Sequence, residues 1–185
     1  MRKLTAPPDV EIIGLMANAY IHNLQNKETV PIFEKYGMSN IDLDTWYQAN
    51  KFMDALNEMV ANGKNYSSAF VAIGMEIGKT LPMPPELANP TLGDVLTLVW
   101  DAGYKAIHRN HDGNIGSVVT EKINDKHYKT THTHLYPDDF SYGIAYSFAK
   151  RFLPEGTHFT VYYDPDLPQR DMDDAPTTVI HIKWE

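Results

Sequence analysis

Five of the chain's eight histidines, His108, His111, His127, His132 and His134, crowd into one stretch. Tyr128, Thr130, His132 and His134 recur at period two there, so they share one face of a strand. Two imidazoles on one face can reach a single divalent metal if other residues complete the shell, and His108, His111, Asp138 and Asp139 are the available donors. The candidate metal set is therefore His132, His134, His108 and Asp138. The competing reading is a pair of covered histidines that satisfy internal hydrogen bonds. Lys129 lies on the opposite face and prefers water, so the histidine face is expected to turn toward a helical layer and line a cavity.

A second cluster is aromatic. Trp100, Tyr104, His108 and His111 stand four, four and three residues apart and would share one face of a helix that persists to His111. With Tyr128, His132, Tyr142 and Tyr146, the residues Trp100, Tyr104 and His108 make a candidate lining for a pocket that takes a small hydrophobic or aromatic ligand. The aspartates 164, 166, 171, 173 and 174 make one loop acidic. That loop lacks the central glycine and closing glutamate of a calcium-binding EF-hand, and prolines 165, 168 and 176 fit an ordinary connection in solvent. No Gly-x-Ser-x-Gly elbow, phosphate loop or dinucleotide fingerprint occurs, and there is no cysteine. Nothing in the sequence supports an enzyme.

The elements that must position these residues change period once. The pattern before Gly113 is helical, with helices expected at 9–26, 28–36, 44–63, from 65 to about 80, and 91–109. Asp9, Asp44 and Thr91 are the expected caps. Gly74 and Gly78, four apart, suit a close helix crossing. The pattern from Asn114 is β: residues 115–123, a turn at 124–126, and the histidine strand from His127. The break at Tyr136-Pro137 is followed by a helix near 139–153, capped by Asp138 or Asp139, whose Phe140, Ile144, Phe148 and Phe152 form a core-facing stripe. Two more strands follow, 157–163 and 178–184. The fold class is α+β: a helical layer over about 1–110, then a four-stranded antiparallel sheet in ββαββ order over about 111–185.

With 185 residues, 43% of them apolar, the chain suits one domain with one core. A net charge of −8 and the lack of a basic cluster argue against a nucleic-acid partner. No apolar run reaches the roughly 18 residues that a membrane span requires. Met1-Arg2-Lys3 is followed by prolines and acids rather than a signal sequence, so a cytoplasmic location is expected.

The runs Tyr104 to Gly116 and Tyr136 to Phe152, with the Asp139 to Gly143 helix start and the closing Ile182-Lys183-Trp184, resemble the 4-vinyl-reductase-like and heme NO-binding-like superfamily. The resemblance covers mainly 65–185. It implies the fold of nitric-oxide sensors and Golgi transport subunits, whose members hold heme, zinc, aromatic effectors or fatty chains. Heme-binding members carry a proximal histidine on the helix before the hairpin and a Tyr-x-Ser-x-Arg clamp. Here the comparable run is Tyr128 to His132, without the arginine, and His108 is the axial candidate near its helix end. Both departures argue against heme, and the absence of cysteine argues against the zinc site of other members. The expectation is a non-enzymatic ligand-binding or sensor domain. A metal-dependent enzyme at His132/His134, a heme-binding gas sensor, and a module that homodimerises through its N-terminal helices are the alternatives.

Overall fold

The protein is described by a computed structural model over residues 1–23, 29–62 and 66–185. The chain begins with a short strand, β1 (Glu11–Ile13), and then α1 (Gly14–Asn23), α2 (Val30–Lys35), β2 (Trp46–Gln48), α3 (Ala49–Ala61) and α4 (Ser67–Thr80). A composite helix follows, made of α5 (Leu92–Asp94), a π-helical segment (Val95–Val99) and α6 (Trp100–Ala106). The remainder is β3 (His108–Arg109), β4 (Val118–Asn124), β5 (His127–His132), α7 (Asp138–Phe152), β6 (Phe159–Tyr163), α8 (Arg170–Asp173) and β7 (Thr178–Trp184).

The ββαββ half forms as expected: β4, β5, β7 and β6 lie side by side, every pair antiparallel. Its inner face is covered: Val161 of β6 and Ile180 and Ile182 of β7 are buried there together with the polar Thr130 and His132 of β5 and Thr178 of β7. α7 buries Phe140, Ile144 and Phe148, the stripe seen in the sequence, and its Tyr142 and Tyr146 reach Val161 and Phe159 of β6.

The first half needs several corrections. A second, three-stranded antiparallel sheet in the order β2-β1-β3 occurs where only helix was expected. The run Glu11-Ile12-Ile13 is β-branched and short, so pairing with β2 and β3 overrides the helical period read across it. The helix expected from residue 9 accordingly starts at Gly14, and the one expected from Asp44 starts at Ala49. Residues 24–28 and 63–65, where two helix ends and two starts were expected, lie outside the described residues. Asp138 and Asp139 sit in the first turn of α7, but neither is its cap; that position is Pro137. The fifth helix ends at Ala106, so His108 belongs to β3, paired with Ile12, and His111 is half-exposed beyond it. The acidic loop contains the unexpected α8.

Two features fix the cleft described below. Thr91 caps the composite helix reciprocally with Asp94, and the Leu96 carbonyl of the π-helical segment accepts the Thr120 hydroxyl of β4 at 2.7 Å. α4 and α7 cross with backbones in contact. A side-chain carbon on Gly74 would collide with the Phe140 carbonyl, and one on Gly143 with the Val71 carbonyl. No helix among the described residues is long and apolar enough to cross a membrane. Since backbone cannot yield as a flexible side chain does, Gly143→Ala should destabilise the fold by roughly 1–3 kcal/mol, read as a lowered urea midpoint with unchanged slope. An unchanged midpoint would mean that the two helices are less closely packed than described.

Candidate functional site

A cleft of about 410 Å³ opens between α1, the end of α4, α6 and α7. Trp100, Tyr104 and Ile107 of the α6 face, Phe140, Ser141, Ile144 and Phe148 of α7, and His134 and Tyr136 from the β5–α7 link form its inner wall. The exposed Leu15, Thr80 and Pro82 mark the mouth. α6 presents Trp100 and Tyr104 together because they are one helical turn apart, and the π-helical segment before them sets the rotation of that face.

The polar groups of the wall form two hydrogen-bonded chains, and the bonds fix which nitrogen of each imidazole carries its proton. The His108 Nδ1 lies 2.8 Å from the Tyr104 carbonyl, which can only accept, so Nδ1 is protonated. Its Nε2 lone pair takes the Tyr136 hydroxyl at 2.9 Å. The Tyr104 hydroxyl donates to the Ile115 carbonyl at 2.5 Å and accepts the Leu135 amide. In the second chain the Tyr136 amide donates to His134 Nδ1 at 3.2 Å, which leaves the proton of neutral His134 on Nε2. That nitrogen lies 2.6 Å from Ser141 Oγ and 3.2 Å from His132 Nδ1, while His132 Nε2 reaches Thr130 Oγ1 at 2.9 Å. The Thr130 hydroxyl ends the chain on the Ile180 carbonyl.

Burial keeps all three imidazoles neutral. It pulls His108 down to about 4 and His132 down to about 3, and it holds His134 well below the ordinary histidine range, with Arg170 adding to the effect on His132 and His134.

The structure distributes the candidate residues unevenly. Trp100, Tyr104 and His134 line the cleft. His132 is fully buried one layer behind, edge-on to Trp100 with ring centroids 5.1 Å apart, and His108 is covered by Tyr104 and Tyr136. The histidine face of β5 therefore turns toward the helices, with Lys129 on the other side in an ion pair with Glu121. Tyr128, Tyr142 and Tyr146 lie elsewhere: Tyr128 stacks on Trp184, Tyr142 donates to the Val161 carbonyl, and Tyr146 packs on Phe159. Asp138 pairs with Arg170 and accepts the Thr178 hydroxyl, so it is spent in an ion pair instead of joining the histidines. No group of three or more acidic or histidine side chains is placed to hold a metal ion among the described residues.

Sequence reasoning missed Tyr136, Ser141, Arg2 and Arg170. Ser141 is one helical turn beyond Pro137 on the side facing His134, a spacing that was readable. Arg170 and Arg2 carried no local signal, because their side-chain partners lie far off in the chain, from Asp138 for Arg170 to Asp171 for Arg2.

Neither a protein-family model nor a curated protein sequence matches this chain. Solved structures do. A variant of the unliganded Fe(II) H-NOX protein of K. algicida superposes with a TM-score of 0.66 at 10% identity, covering 94% of this chain and 97% of the other. A structure described as probing heme distortion in the H-NOX family gives 0.66 at 14% identity, over 93% and 92%. A variant of T. Tengcongensis H-NOX gives 0.63 at 12% identity, over 93% and 94%. The fold is that of H-NOX, heme NO-binding, domains. The likeness extends over nearly the whole chain, beyond the 65–185 region of the sequence resemblance. The expectation that heme is not the cofactor is thereby overturned: the folds that match from end to end are those of heme proteins.

Three neutral buried imidazoles make stability depend on pH with a definite sign. The unfolded chain binds protons at these residues near pH 6.5 and the folded chain only near 4 at His108, near 3 at His132 and well below the ordinary range at His134, so their contribution to stability is full above about pH 7 and falls as pH drops below 6.5. Each residue contributes a loss of up to about 1.4 kcal/mol per pH unit in that window. Urea unfolding at pH 7 and pH 5 checks it, and equal midpoints would show that the histidines titrate alike in the folded and unfolded chain.

Proposed function

We propose that the cleft is a heme site and that the domain is a non-enzymatic gas sensor. The observation that carries this reading is His108, one layer behind Tyr104 and Tyr136 of the cleft wall, in the tautomer a metal ligand needs. Its Nδ1–H is anchored on the Tyr104 carbonyl, its Nε2 lone pair points to Tyr136, and it is neutral at physiological pH. His134 suits the role less well, because its Nδ1 accepts a backbone amide and its Nε2 must therefore hold the proton. The apolar wall suits the faces of a macrocycle. Arg151, whose guanidinium sits on the Gly78 and Leu81 carbonyls beside the mouth, supplies positive charge for its carboxylates. Heme, when bound, supplies an iron that coordinates a small gas reversibly. The chain's own residues exclude water from the cleft, keep the imidazole neutral, and give up the Tyr136 hydroxyl when His108 takes another partner.

A second reading, a small apolar or aromatic ligand without metal, is favoured by the lining itself, which includes no lysine or arginine.

Titration of the purified chain with hemin separates the two. The heme reading expects a stoichiometric Soret band that His108→Ala abolishes and His134→Ala retains, and an affinity lowered about tenfold by Arg151→Ala through loss of a charge-assisted contact. No band in the parent protein, together with binding of a fluorescent naphthalene probe that Trp100→Ala weakens, would favour the second reading.

A further inference from the structure

Behind the cleft wall lies a cluster that the site chemistry does not use. Arg170 of α8 and Arg2 of the N-terminal segment converge on the backbone of residues 134 to 136. Arg170 donates to the His134 carbonyl at 2.6 Å and the Tyr136 carbonyl at 3.3 Å. Arg2 reaches the His134, Leu135 and Tyr136 carbonyls at 3.3, 3.4 and 3.0 Å. Two aspartates balance them: Asp138 pairs with Arg170, and Asp171 with Arg2 at 3.0 Å. The aspartates also cross-link the backbone, since the Asp138 amide donates to Asp171 and the Asp171 amide to Asp138. Arg170 is 3% exposed and Asp138 2%, while the Arg2 and Asp171 side chains keep 17% and 11% of their surface, so this is a largely buried box of two cations and two anions. Burial and the neighbouring Arg170 pull Arg2 down, and burial and Asp138 push Asp171 up, as expected of charges held out of water.

The placement is what matters. The three carbonyls belong to the same residues whose side chains and amides form the cleft wall. A buried guanidinium with fixed acceptors does not follow a moving backbone gradually, because breaking one contact leaves a desolvated charge. We infer that Arg2 and Arg170 are positioning residues that lock the His134–Tyr136 wall to the β6–β7 loop, so that occupancy of the cleft and the order of α8 depend on each other. This rests on the cleft being a ligand site and deepens that reading. It also gives the acidic loop a role: Asp171 is part of the lock, and the exposed Leu167 and Met172 beside it are the surface whose order changes.

Amide exchange followed residue by residue in the full chain tests both directions. In the ligand-free protein, Arg2→Gln should speed exchange of the Leu135 and Tyr136 amides roughly tenfold or more, the worth of a hydrogen bond to a charged group, while Ile180 and Ile182 in the sheet keep their rates. Arg170→Lys should act on the same two amides, less strongly, because it keeps the charge and loses the fork. Reciprocity then requires hemin to change exchange at the Arg170 and Asp171 amides of the parent protein. If hemin gives no Soret band, the heme reading fails, and the arginine variants alone decide the lock. A uniform rise across wall and sheet in both variants, or unchanged rates at Leu135 and Tyr136, would overturn the inference.

Discussion

The segment His134-Leu135-Tyr136 is held from both sides, and the site depends on that. On one side its carbonyls accept from a buried guanidinium, Arg170, and a partly buried one, Arg2. On the other its amides and rings bond to Tyr104, His108 and Ser141. An irregular link between a strand and a helix would otherwise bury unpaired backbone groups, each costing roughly 1–3 kcal/mol. Arginine is the side chain that can serve several carbonyls at once, and the two aspartates make its burial tolerable. The wall of the cleft can therefore be a loop and still be rigid.

Rigidity sets the chemistry. In this wall each imidazole N–H has an acceptor, so an imidazole cannot charge without breaking the chain it belongs to, and burial is the first cause of the downward shifts of His108, His132 and His134. Neutral imidazoles in fixed tautomers divide the roles: His108 offers a lone pair, and His134 offers a proton. The cleft thus combines a large apolar surface with few polar directions, the balance expected of a site that orients one ligand.

Much of the fold was legible in the sequence because its periods are clean. The alternation of Tyr128, Thr130, His132 and His134 gave the strand and its covered face, and Phe140, Ile144 and Phe148 gave the helix over it. β1, β2 and β3 were hidden for a physical reason: strands of two or three residues are too short for a period to appear, and their pairing partners lie far apart in the chain. The candidate site was half legible. Trp100, Tyr104, His108 and His134 could be picked by type and spacing. Tyr128 faces the covered side, yet the sequence does not tell that Trp184 lies there in place of the cleft. Asp138 looked like a ligand because its partner Arg170, in a loop that read as solvent-exposed, had no pattern to announce it.

The three buried histidines are neutral, and hydrogen bonds of the 134–136 wall, with the Tyr104 carbonyl, fix their tautomers. Ring nitrogen chemical shifts of His108, His132 and His134 in ¹⁵N-labelled, ligand-free protein near pH 7 measure this directly. The expected result is a proton on Nδ1 of His108 and on Nε2 of His132 and His134. An imidazolium at any of the three, or Nδ1-protonated His134, would contradict it.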